Sequence, residues 1–132
     1  MRAQRIVLAA VLLALASCAV ASAKTVTYDN IISPSKLINC WAVMSSSEIQ
    51  CSAPYLPDIG EFDTYFAVRP RGRSQIAERS DFPGFGTPFR TLRYGDAWKR
   101  PGIRCTMRTT GLTCRNLDRH GFHIQKGKTY RF

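Results

Sequence analysis

The sequence predicts an all-β fold, a small antiparallel sandwich or barrel stapled by two cysteine-bridged hairpins. Three observations carry that expectation. Ile103, Cys105 and Met107 alternate with Arg104, Thr106 and Arg108, the period-two signature of a strand with one apolar and one charged face. An Ile/Leu-x-Cys unit occurs at residues 38–40, 49–51, 103–105 and 112–114. No segment beyond the N-terminus sustains the 3.6-residue apolar period of an amphipathic helix.

The first 23 residues read as an export signal and stand outside the fold. Arg2 and Arg5 form a basic start, residues 6–16 are an uncharged apolar run, and Ala21-Ser22-Ala23 offers small side chains to a signal peptidase. A bilayer-spanning helix needs roughly 20 apolar residues, so the run is too short for a permanent anchor. Leu15-Ala16-Ser17-Cys18 resembles a lipoprotein acylation site, which gives a second route in which Cys18 carries a lipid anchor. The regular Ala-Ser-Ala site favours cleavage after Ala23. Either route takes the chain out of the cytoplasm, to the periplasm, the medium or the envelope surface. Residues 24–132 then form a single β domain with no segment apolar enough to span a bilayer.

Four cysteines remain in that domain: Cys40, Cys51, Cys105 and Cys114. An even number in an exported chain reads as disulfides, with three possible pairings. The strand pattern favours the local one. Residues 38–44 lead into Ser45-Ser46-Ser47, and Ile49-Gln50-Cys51 returns, so Cys40 meets Cys51. Residues 103–108 lead into Thr109-Thr110-Gly111, where glycine accepts a positive φ, and Leu112 and Cys114 return. Cys105 and Cys114 thus fall opposite or nearly so. Zinc is disfavoured because no C-x-x-C spacing occurs. The repeated Ile/Leu-x-Cys has two readings, an ancient duplication or convergent hairpin chemistry, and the small number of matching positions favours the second.

Between the hairpins, residues 62–68 suit a strand, 70–73 a turn and 75–79 one helical turn. Pro83, Gly84, Gly86 and Pro88 forbid a long helix. Residues 121–125 suit a last strand, with Phe122 and Ile124 on one face, His120 on that same side and His123 facing outward.

Charge is strongly polarised. Residues 24–64 carry two basic and five acidic side chains, a net of −3, whereas residues 65–132 carry fifteen and four, a net of +11. Twelve of those fifteen are arginine, which suits bidentate recognition of phosphate or carboxylate. Arg90, Arg93, Lys99, Arg100, Arg104 and Arg108 are the candidate anion-binding set, interleaved with Phe89, Tyr94 and Trp98. An acidic polymer or an acidic protein surface is the expected partner.

Tyr94-Gly95-x-x-Trp98, Gly102-Ile103-x-Cys105, Gly111-Leu112-Thr113-Cys114-x-Asn116 and His120-Gly121-Phe122 follow one another in the second half. With Ser33-Pro34-Ser35, Ile38, Cys40 and Cys51 in front and Tyr130-Arg131-Phe132 at the end, the order resembles a family of secreted bacterial proteins known as a domain of unknown function. The resemblance spans most of residues 31–132. It implies export, disulfides and a small β domain, and it implies no activity. The chain departs from the family pattern at Lys36-Leu37 and in lacking a further cysteine pair in its middle third.

No G-x-S-x-G, glycine-rich phosphate loop or H-E-x-x-H motif occurs, and no cofactor or metal is implied. Asp58, Glu61 and Asp63 lack EF-hand spacing. The expectation is therefore a non-enzymatic binding or structural module of the bacterial cell envelope. One alternative is a small ribonuclease-like hydrolase of an acidic polymer, with His120 as general acid or base beside Glu48, Glu61 or Glu78. The other is a protein-interaction or inhibitor module.

Overall fold

The structure is a computed structural model and describes residues 22–81 and 88–132. Cys18 and most of the export segment lie outside the described residues, as do Pro83, Gly84 and Gly86. Twelve strands are formed among the described residues: β1 Thr25–Val26, β2 Asn30–Ile32, β3 Asn39–Val43, β4 Glu48–Ser52, β5 Asp63–Val68, β6 Gln75–Arg79, β7 Arg90–Thr91, β8 Ala97–Arg100, β9 Ile103–Arg108, β10 Gly111–Asn116, β11 Gly121–Gln125 and β12 Lys128–Arg131. They build two open six-stranded sheets, β1-β8-β9-β10-β11-β12 (sheet A) and β6-β5-β4-β3-β2-β7 (sheet B). The fold is a disulfide-stapled all-β sandwich, not a closed barrel.

Its interior is dictated by alternation. Ile103, Cys105 and Met107 are at most 3 % exposed, which turns Arg104 and Arg108 to the opposite side of the strand. In sheet A, Trp98, Cys105, Cys114 and Phe122 stand opposite one another on four neighbouring strands. In sheet B the same row is Ile31, Cys40, Cys51 and Phe66. The rows meet where Phe66 and Phe122 pack with ring centroids 5.6 Å apart. Both disulfides, Cys40–Cys51 and Cys105–Cys114, lie on these rows and are fully buried.

Two sequence expectations are corrected. Residues 75–79 are a strand, not a helical turn, because every residue from Gln75 to Arg79 pairs with β5. A single helical turn cannot repay its own nucleation, whereas an open sheet edge satisfies the backbone at once. The sheets are also not purely antiparallel. β1 runs parallel to β8, and β7 runs parallel to β2.

Those two parallel pairs reveal a repeat that the sequence echo only hinted at. β2 to β6 and β8 to β12 are each a five-stranded antiparallel meander, with matching rows and a disulfide between the second and third strands. The strand preceding each meander does not join it. β1 leaves the first half to edge the second, and β7 leaves the second to edge the first. The halves exchange their first strands.

Turn geometry fixes the registers. Thr109 and Thr110 alone connect Arg108 to Gly111, so Cys105 and Cys114 stand directly opposite. Gly111 has φ +110°, a conformation that side-chain-bearing residues rarely adopt. Gly121 is required for space, since a Cβ there would collide with the Cys114 carbonyl oxygen.

Candidate anion-binding face

The outer surface of sheet A follows from the same alternation. With a two-residue turn, the inward Leu112 and Cys114 force Thr113 and Arg115 outward. Register then sets Lys99 opposite Arg104, and Arg104 opposite Arg115, on three adjacent strands. Strands in a sheet lie about 4.8 Å apart, so three cationic side chains leave the backbone as a close file. Like charges directly opposite one another destabilise a sheet. None of the three belongs to any of the ion pairs formed among the described residues.

The neighbouring row is polar rather than charged: Thr106, Thr113, His123 and Tyr130. Arg104, Thr106, Thr113, Arg115 and Asn116 border a shallow depression of about 300 Å³. Arg115 reaches over the Phe132 ring, 5.2 Å from its centroid. Arg108 stands exposed on the same face of β9, two levels from Arg104 and beyond Thr106.

The six basic residues of the sequence expectation are divided by the structure. Lys99, Arg104 and Arg108 share the outer face of sheet A. Arg90 belongs to β7 in the other sheet, its guanidinium over the Tyr28 ring. Arg93 faces Asp96. Arg100, with a side chain 13 % exposed, is a structural clamp that donates to the Thr27 carbonyl and to Asp29. Trp98 is wholly buried and donates its indole N–H to the Tyr28 carbonyl. Arg115 was missed, although the pattern that exposed Arg104 also exposes it once the turn is two residues long.

The histidines separate. His123 lies on the outer side of β11 yet is buried, its ring stacked on Tyr130 and flanked by Thr113 Oγ1 at 2.8 Å and Gln125 Oε1 at 3.2 Å. An imidazole protonated at Nε2 satisfies both neighbours. His120 sits in a depression of about 400 Å³ lined also by Arg73, Ser74, Arg131 and Phe132. No carboxylate side chain lines it among the described residues. Glu48 is held by Gln50 and Arg69, and Glu78 accepts from the Phe62 N–H. Asp118 is nearer, but one oxygen accepts from Arg71 and the other from the Gly72 N–H. Those two contacts, the Gly72 N–H first, hold its carboxyl below the usual carboxylate value.

Asn116 ties these loops together. Its amide nitrogen donates to the carbonyls of Arg69 and Gly72, and its oxygen accepts from the backbone N–H groups of Asp118 and His120. One buried side chain thereby fixes the loop carrying Arg73 against the turn carrying His120.

A separate cavity of about 320 Å³ is lined by Asn39, Trp41, Asp58, Asp63 and Phe89 among others, and its two carboxylates give it the opposite sign. The acidic first half of the chain and the basic second half thus contribute distinct surfaces.

Comparison with protein-family models, with curated proteins and with solved structures finds no match. Two buried disulfides fit an oxidising environment outside the cytoplasm. No helix among the described residues is long and apolar enough to cross a membrane.

Proposed function

We propose that the chain is an exported binding module of the bacterial cell envelope, without catalytic activity, whose sheet A outer face docks on an acidic polymer. The observation that supports this is the file of Lys99, Arg104 and Arg115. Fold stability gives no reason to set three like charges abreast, and a polyanion does. Export rests on residues 1–23, and a native chain of intact mass beginning at Lys24 is the expected form.

The test is affinity for heparin, nucleic acid and an acidic envelope polymer across a salt series. Binding weakens as salt rises, because counterions released from the polymer drive association. An R104E/R115E double variant keeps the fold, since exposed substitutions usually cost less than about 0.5 kcal/mol, and it loses most of the affinity. Equal binding by the double variant, or no binding by the native protein at low salt, would falsify the reading.

The hydrolase alternative draws support from the depression around His120. Acid–base hydrolysis requires a second proton-transfer group in reach of the first. The wall of that depression supplies arginine and serine instead, which favours binding over catalysis.

A further inference from the structure

The geometry points to a second anion site, an open depression at one end of the sandwich: Arg73, Ser74, His120 and Arg131 together take one tetrahedral oxyanion, a phosphate or sulfate group. This goes beyond the docking face, and neither reading depends on the other.

The four residues come from two distant parts of the chain, the loop at 73–74 and the two ends of the β11–β12 hairpin, and are brought together by the fold. Arg73 and Ser74 follow the turn at Gly72. His120 follows Arg119, which itself holds a positive φ of 64°. Arg131 lies on the edge strand β12, paired with Phe122, so its side chain leaves on the inner side of sheet A. It bridges to the other sheet, where one guanidinium nitrogen donates to the Ser74 carbonyl at 2.9 Å. That bond fixes the arginine, and the remaining N–H groups of its fork make no hydrogen bond among the described residues. Asn116 holds the other two segments in place through its four hydrogen bonds.

The two arginines in this depression make no ion pair among the described residues, and neither does His120. The adjacent carboxylate, Asp118, has both oxygens committed to Arg71 and Gly72. Ser74 is only 5 % exposed and forms part of the wall, with its carbonyl holding Arg131. Two guanidinium forks and an imidazole around about 400 Å³ offer donors from several directions. Tetrahedral oxyanions present acceptors in several directions, and guanidinium forks bind them bidentately. A planar carboxylate would use fewer of these donors.

The experiment exploits the two histidines. The imidazole resonances of His120 and His123 are followed by NMR in the full domain during titration with inorganic phosphate, and separately with sodium sulfate. Sodium chloride at matched ionic strength is the control. The expected result is a saturable shift of His120 with phosphate, sulfate or both, while His123, enclosed beneath Tyr130, stays in place. The responding anion identifies the class of group recognised. An R73Q variant should weaken the interaction about tenfold or more, the loss of one charge-assisted hydrogen bond. Arg73 is exposed, so that variant retains the native amide spectrum. An R131K variant keeps the charge, loses the fork, and should weaken binding as well. The proposal is overturned if neither anion moves His120, if chloride moves it equally, or if R73Q responds like the native protein. None of those results would touch polymer binding, which R104E/R115E reports separately.

Discussion

Single residues do unequal work in this domain, and Asn116 does the most. It is 7 % exposed and makes four hydrogen bonds to backbone groups on two loops. Asn116→Ala removes four part-buried hydrogen bonds, so the expected loss is about 1–3 kcal/mol in urea unfolding. The His120 resonance should broaden or shift in that variant, because the turn loses its anchor. Asp118 gives a prediction in pH. Its carboxyl is held low in the folded chain by Gly72 and Arg71, so the folded form takes up a proton less readily than the unfolded form. Its stabilising contribution is therefore complete above the unfolded carboxylate value of about 3.9 and is lost as pH falls through the lower, folded value. Asp118→Asn lacks the contribution throughout. The stability gap between the two proteins should be widest near neutral pH and should close in acid; a gap that stays constant down to acid pH refutes the assignment.

Among the elements, those readable in the sequence were the ones with a buried face long enough to alternate. β9 and β10 declare themselves through six residues each, and the Cys105–Cys114 bridge follows from their turn. β3 and β4 do so through their cysteines. β1 and β7 are two residues long, too short for any period, and each pairs in parallel with a strand far away in the chain. Such pairing leaves no local trace. The same distinction governs the sites. Arg104 and Arg108 were legible because their strand is, whereas Arg73 meets His120 and Arg131 only through tertiary structure. Each hairpin bridge can be tested alone. Replacing Cys105 and Cys114 by alanine frees a short loop in the unfolded chain, and the chain-entropy model puts the loss at about 2–3 kcal/mol. Peptide mapping without reductant should recover Cys40 linked to Cys51 and Cys105 linked to Cys114, and no peptide joining the two halves.

For the whole molecule, the exchange of first strands decides how it comes apart. Two independent sandwich halves would melt separately. Here each meander is edged by a strand from the other half, and Phe66 meets Phe122 at the centre. Unfolding should be a single cooperative event. Hydrogen exchange offers the measurement: the slowest amides of β4 and of β10 should report the same opening free energy. Values that differ by several kcal/mol would show that the halves open independently, and the shared core would lose its importance.

The exchanged strands also impose an order on folding. Any chain emerges from its N-terminus, whether from a ribosome or through an export channel. When residue 52 has appeared, the first hairpin is present and Cys40 can already bond Cys51. The edge of β2 nevertheless stays open until Thr91 arrives, and β1 has nowhere to dock until Ala97 and Trp98 follow it. Neither sheet can close on its own schedule. The first half must wait, partly built and with an apolar face uncovered, for material that the second half supplies, so a chain truncated near its middle is left with one sheet short of an edge and a homeless first strand.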